Sequence, residues 1–187
     1  MSKVYFTRHG QTVWNVENKI CGATDIALTD LGHEQAKELG RSIKSMMEKG
    51  EVQIDEILYS PLVRAADTAK HISEITGISA RMEPRLKEQN FGRYESTPRN
   101  GEEFGRMKEH YIDHFGTGET MLHLAQRIYN LLDDVKAEAP KKTYLLVAHN
   151  GIARVIQSYF YDMSNEEYAK FGIKNCQLMV YSFDEDV

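Results

Sequence analysis

Arg8 and His9 stand side by side where the apolar run KVYFTR ends and Gly10 turns the chain, in the stretch FTRHGQTVWN. Two such side chains left unpaired at a strand end would carry a desolvation cost, so an anion is expected to meet them there. Two other segments deliver groups of the same sign. Arg64 lies one turn beyond the strand-like LYS of DEILYS, and His149 follows the apolar TYLLVA. A cation in the first turn of a helix is electrostatically unfavourable, so Arg64 also points to an anion nearby. Arginine forks fit phosphate oxygens two at a time, and a cationic cleft focuses field on a small anion even in a chain of net charge −5.

These groups meet only if the elements carrying them converge. The apolar period along the chain switches repeatedly between two and about 3.6. KVYFTR is a short β-rich run. TDLGHEQAKELGRSIKSMM places Leu39, Ile43, Met46 and Met47 on one helical face, with Thr29 as N-cap and Asp30 in the positive first turn. DEILYS is the next strand. Ser60 and Pro61 are expected to supply the N-cap and the N1 proline of a helix with the stripe Ala65, Ala69, Ile72 and Ile75, ended by Gly77. A short strand near Ser79 to Glu83 is closed by Pro84, which has no N–H for a ladder.

From Arg85 to Thr117 the pattern is weakest, and a loop with a helix around Glu102 to His114 is expected. TMLHLAQRIYNLLDDV is a helix by the spacing of Met121, Leu124, Ala125, Ile128, Leu132 and Val135. TYLLVAH reads as a strand buried on both faces. Ile152, Val155, Ile156, Tyr159 and Phe160 give another amphipathic helix, and CQLMVYSF a last strand at an edge. Alternating strands and helices predict an α/β fold of three layers, α/β/α, around a mostly parallel sheet, with ligands beyond the carboxyl ends of the strands.

Composition narrows the rest. The chain has 187 residues, 41% hydrophobic and 27% charged, with four prolines, which suits one domain over residues 1–187 rather than a disordered chain. Without a basic block or stripe, a nucleic-acid partner is not expected. No run approaches the ~18 apolar residues of a membrane span, and MSKVYFTRHG lacks a signal-peptide pattern, so a cytoplasmic location and no membrane partner are expected. Cys21 and Cys176 are too few and too far apart for a disulfide framework or a zinc site. Oligomeric state has no sequence signature.

The stretches TRHGQTVWN, YSPLVRAADTA, LKEQNFGRYES and VAHNG, in this order and at these intervals, resemble the four signatures of the histidine phosphatase superfamily, whose fold is phosphoglycerate mutase-like. The resemblance spans nearly the whole chain. It implies a helical cap-like segment around residues 89–118 and a set of roles. His9 would take a phosphoryl group on a ring nitrogen, its other nitrogen donating to a backbone carbonyl such as that of Gly10. Arg8, Arg64 and His149 would hold the equatorial oxygens, and Asn15 would add a neutral donor. Glu88 would protonate the leaving alkoxide and then deprotonate the attacking water, with Glu83 and Glu95 as rivals for the role. Thr12, Cys21, Gly22 and Asn150 would contact substrate around the mouth. No metal and no cofactor is implied, two arginines taking the place of a magnesium clamp. His33, His71, His110, His114 and His123 read as structural or solvated.

Two departures stand out. Many members have glycine where this chain has Ser96, and a second glycine where it has Asn150. The cofactor-dependent mutases of the family are longer and carry an insertion of basic residues that grips the carboxylate of a phosphoglycerate. Here TPRNGEEFGRMKEHYIDHFGTGET is short and mixed in charge, with Arg99, Arg106 and Lys108 available for substrate but no adjacent arginine pair. The leading expectation is a phosphomonoesterase for a small phosphorylated metabolite. The alternatives are a mutase dependent on a bisphosphoglycerate primer and a non-catalytic module that binds a phosphorylated ligand.

Overall fold

The computed structural model describes residues 2–107 and 110–184. In chain order its elements are β1 (Lys3–Arg8), α1 (Val13–Val16), α2 (Asp30–Glu48), β2 (Glu56–Tyr59), α3 (Val63–Thr76), β3 (Ala80–Met82), α4 (Glu102–Met107), α5 (Met121–Glu138), β4 (Tyr144–Ala148), α6 (Asn150–Phe160), α7 (Asn165–Lys170) and β5 (Leu178–Ser182), with 3-10 turns at Pro84–Leu86 and Gly92–Tyr94. The strands form one sheet in the order β3-β2-β4-β1-β5. β1 to β4 run parallel, and β5 lies antiparallel on the edge beside β1. This is the mostly parallel three-layer arrangement the sequence implies.

The period of two in the strands sorts side chains to the two faces. Val4 and Phe6 of β1, Leu58 of β2 and Leu146 of β4 pack with α5 and α6 on one side. Tyr5, Ile57, Leu145 and Val147 pack with α2 and α3 on the other. Every residue of β4 is buried, and each large apolar side chain so buried contributes ~1.5–3 kcal/mol. A third, smaller cluster of Ile20, Phe91, Tyr94, Phe104, Met107 and Phe115 holds the 3-10 turn at Gly92–Tyr94 and α4 together. Among the described residues no helix is long and apolar enough to cross a membrane.

Local signals act largely as expected. Thr29 caps α2 by accepting from Gly32 N, and Gly77 ends α3 with φ = 78°, a left-handed conformation that glycine adopts without a Cβ clash. Three expectations need correction. α3 begins at Val63 with Leu62 as N-cap, so Ser60 and Pro61 do not cap it; Ser60 Oγ accepts from Leu62 N and is drawn to His149 instead. The helix expected over Glu102 to His114 is only α4, and residues 108 and 109 lie outside the described residues. From residue 110 the chain turns, with Asp113 accepting from Phe115 N at 2.7 Å and Phe115, at φ = 53°, plugged into the aromatic cluster. The unexpected α7 carries a capping box between Ser164 and Glu167, a pattern visible in SNEE.

Candidate active site

β1, β2 and β4 point their carboxyl ends to one edge of the sheet. Arg8 pairs in register with Ala148, and Tyr59 with Val147, so the residues that follow, His9, Ser60 and His149, emerge side by side. His9 N donates to Ala148 O at 2.9 Å and Ser60 N to Val147 O at 3.0 Å, continuing the ladder just beyond the strands. The two imidazoles lie 5.2 Å apart between ring centres. Gly10 lets the turn after His9 press against the start of α2: a Cβ there would meet Gly32 O at 2.3 Å.

His9 is buried, and its Nδ1 lies 2.7 Å from Gly10 O. A carbonyl can only accept, so Nδ1 carries the proton and Nε2 keeps its lone pair. Burial, reinforced by Arg64 and Arg8, holds His9 well below the usual histidine range, which keeps it neutral and nucleophilic near pH 7.

The groups around it are partly bonded and partly waiting. Arg64, wholly buried in the first turn of α3, donates from Nη1 to Thr24 O at 2.8 Å and from Nη2 to Gly22 O at 2.7 Å. Arg8 donates from Nη1 to Ile173 O at 2.9 Å, and burial with Arg99 beside it pushes its guanidinium down to about 10. His149 is wholly buried, with Nε2 2.7 Å from Ser60 Oγ, and burial and Arg64 hold it well below its usual range. Asn15 accepts at Oδ1 from Thr12 N at 3.1 Å and from Asn175 Nδ2 at 3.4 Å. Among the described residues, the buried side-chain nitrogens and oxygens without a hydrogen-bond partner are Arg8 Nε, Asn15 Nδ2, Arg64 Nε and His149 Nδ1. These belong to the four residues expected to hold an anion. A buried unmade hydrogen bond costs ~1–3 kcal/mol, so each of these nitrogens would gain from an acceptor brought to it.

The three carboxylates expected to compete are separated by their partners. Glu83 is paired with Arg85 at 2.9 Å. Glu95 accepts from Gly22 N, Ala23 N, Thr24 Oγ1 and Phe91 N, so it shapes the 22–24 loop whose carbonyls anchor Arg64. Among the described residues Glu88 accepts only from backbone N–H groups, those of Gln89 and Gly151, both at 2.9 Å. It lines a cleft with Cys21, Arg99, Asn150, Arg154 and Phe171.

Of the remaining expected contacts, Cys21 and Asn150 line the cleft, and the others are engaged within the chain. Thr12 is buried and spends its hydroxyl on Asn15 N in a capping box. Gly22 acts through its backbone, but on Arg64 and Glu95. Asn150 Oδ1 accepts from Ile173 N at 2.9 Å, tying down the segment from Phe171 to Cys176. That segment fastens the site from behind: Phe171 O takes Arg154 Nε, Ile173 O takes Arg8, Asn175 Nδ2 donates to His9 O at 2.8 Å, and Cys176 N donates to Arg8 O. Cys21 lines the cleft, and burial pushes its thiol up. Arg106 is exposed on α4, and Lys108 lies outside the described residues. Sequence reasoning missed Ser60 as a partner of His149, and missed Arg154, which is buried inside the amphipathic pattern of α6. Among the described residues no group of three or more His, Cys, Asp or Glu side chains could hold a metal ion.

Comparison with known proteins places this geometry in a lineage. The family model described as histidine phosphatase superfamily (branch 1) matches residues 4–187. The protein named probable phosphoglycerate mutase GpmB of Erwinia tasmaniensis is 28% identical over 193 residues, covering 95% of this chain and 83% of its own. A mycobacterial glucosyl-3-phosphoglycerate phosphatase superposes with a TM-score of 0.80 at 25% identity, covering 96% of this chain and 89% of the other. The α-ribazole phosphatase from Shigella flexneri shares the fold, with a TM-score of 0.79 at 22% identity over 98% of this chain and 91% of its own. The chain belongs to the histidine phosphatase superfamily, branch 1.

Proposed function

We propose that this chain is a phosphomonoesterase that hydrolyses a small phosphorylated metabolite through a phosphohistidine on His9. The observation that carries the reading is the set of buried, unpartnered nitrogens of Arg8, Asn15, Arg64 and His149. A transferring phosphoryl group spreads charge over its equatorial oxygens, and catalysis is mostly a matter of holding those oxygens and aligning the nucleophile.

Nε2 of His9 forms a bond to phosphorus as the ester P–O bond breaks, and Glu88 gives its proton to the departing alkoxide. Glu88, now a carboxylate, takes a proton from water; the water oxygen bonds to phosphorus, the P–N bond breaks, and phosphate leaves with His9 restored. Gly10 O keeps the Nδ1 proton in place throughout. Each charged donor removed should raise the barrier by about 2.7–4 kcal/mol, by analogy with deletions from oxyanion holes.

The reading extends to substrate charge. The Arg99 guanidinium makes no hydrogen bond or ion pair among the described residues, and Arg154 uses only Nε, on Phe171 O. Both line the cleft beyond Glu88, which favours esters that carry negative charge in addition to the phosphate. A mutase, as named among the relatives, would retain a bisphosphorylated intermediate and would depend on a primer.

A phosphate-release screen over a metabolite panel, with and without a bisphosphoglycerate primer, tests the proposal. Release independent of primer is expected, with an acid-labile phosphoprotein trapped in the wild type and both lost in His9→Ala. Release that survives in His9→Ala overturns the nucleophile, and turnover only with primer favours the mutase.

A further inference from the structure

Ser60 is wholly buried at the end of β2, beside wholly buried His149 at the end of β4. Its backbone is fixed by the Val147 carbonyl, and its Oγ touches two groups, Leu62 N at 3.3 Å and His149 Nε2 at 2.7 Å. Pro61, between them, has no N–H to compete. A backbone N–H can only donate, so Oγ accepts from Leu62 and its single hydrogen is free to point elsewhere.

We infer that Ser60 is a positioning residue that fixes His149 as the neutral Nδ1–H tautomer, and so makes an uncharged imidazole a hydrogen-bond donor to the phosphoryl oxygens. What the donor meets rests on the phosphatase reading; the tautomer itself does not.

The alternatives fail on hydrogen-bond accounting. In the Nδ1–H form the Ser60 hydroxyl donates to Nε2, and the group left over is Nδ1–H, a donor without a partner as are Arg8 Nε, Arg64 Nε and Asn15 Nδ2. A bound anion would accept from it. In the Nε2–H form the imidazole donates to Oγ, which then accepts twice, and the hydroxyl hydrogen has no acceptor among the described residues. Nδ1 would also turn a lone pair toward the incoming oxyanion. The doubly protonated ring orphans the same hydroxyl hydrogen. It is further opposed by burial and by the nearby Arg64 guanidinium, both of which disfavour the charged ring. Hydrogen-bond partners of this kind commonly fix which nitrogen of a functional histidine carries the proton.

Nitrogen-15 NMR of histidine-labelled protein decides the matter, with the His149 signals assigned by their loss in His149→Asn. In the wild type, free and with inorganic phosphate, His149 should show a pyrrole-type Nδ1 and a pyridine-type Nε2. A pyridine-type Nδ1, or two protonated nitrogens, overturns the inference whatever the activity. Ser60→Ala should mix the tautomers and lower kcat for an alkyl phosphate by about 10- to 100-fold. Ser60→Thr, which keeps the hydroxyl, should restore the wild-type spectrum and most of the rate. A folded Ser60→Ala with the wild-type spectrum and rate overturns the positioning role. If no ester is hydrolysed by the wild type, the spectra still read the tautomer, and only the phosphatase reading falls.

Discussion

Gly151→Ala displaces Glu88 without changing a single ionisable group. A Cβ on residue 151 would lie 2.5 Å from Glu88 Oε1 and 3.0 Å from its Cδ, a shortfall of about 0.9 Å from the 3.4 Å at which ordinary contact begins. Glu88 is 5% exposed and held at Gln89 N and Gly151 N, so the carboxylate must shift by nearly that distance toward the cleft it lines, straining its bond to Gly151. A misplacement of about 1 Å in a catalytic group costs on the order of 100-fold, equivalent to ~2.7 kcal/mol of barrier. The helix is not weakened, because alanine exceeds glycine in helix propensity by up to ~1 kcal/mol. Stopped-flow and steady-state assays on two esters separate the steps. p-Nitrophenolate departs without a proton, so its burst should persist near the wild-type rate, whereas an alkyl phosphate, whose alkoxide needs one, should lose about 100-fold in kcat. A folded Gly151→Ala that hydrolyses the alkyl ester within about twofold of wild type would refute Glu88 as the proton donor.

Three further outcomes follow from the same geometry. Both His9 and His149 are held well below the usual 6.5, so the unfolded chain binds more protons than the folded one as pH falls below that value. Stability present above about pH 6.5 is therefore lost on acidification, by about 1.4 kcal/mol per histidine at pH 5.5; urea midpoints should fall accordingly, less steeply in His149→Asn, and a flat profile contradicts the burial of two neutral rings. Arg99→Gln should raise KM about 10-fold more for an ester bearing a second acidic group than for one without it, as expected from the loss of one charged contact; equal effects on both esters would argue against a charge preference. Ser96 has φ = 66° and an exposed side chain, so Ser96→Gly should raise unfolding stability by about 1 kcal/mol in a denaturant titration; no gain would mean that glycine's chain entropy offsets the relieved strain.

Much of the scaffold is readable from sequence because its signals are local. The buried run YLLVA, the Thr29 cap and the Gly77 stop each depend on a few neighbouring residues, and the parallel sheet follows from their alternation. The residues expected to meet an anion are legible for a related reason: a strand end that breaks into Arg-His, or His-Asn-Gly, is a poor core segment, so its polarity needs another explanation. What sequence does not convey is how these groups are supported. Ser60 has the composition of a helix cap, and only the register of β2 against β4 shows that His149 claims its hydroxyl. Arg154 hides in an apolar helical stripe. Thr12 and Asn150 are of the right type to touch a ligand, yet Thr12 Oγ1 caps its own turn at Asn15 N and Asn150 Oδ1 holds Ile173 N, a contact that depends on the path of a distant loop. The 85–117 region defeats periodicity because its order comes from one aromatic cluster and from turns with positive φ rather than from a repeating pattern.

The fastening of Arg8, His9 and Asn15 by the segment from Phe171 to Cys176 has a consequence for biogenesis. On the ribosome, the sheet edge that bears His9 emerges well before the groups that clamp it, since Asn175, which holds the His9 carbonyl, lies 166 residues further along the chain. A nascent chain arrested before Ile173 would hold Arg8 and His9 without the carbonyl and amide groups that fasten them. The edge around Arg8 and His9 would thus stay unfastened until β5 has been made and docks against β1.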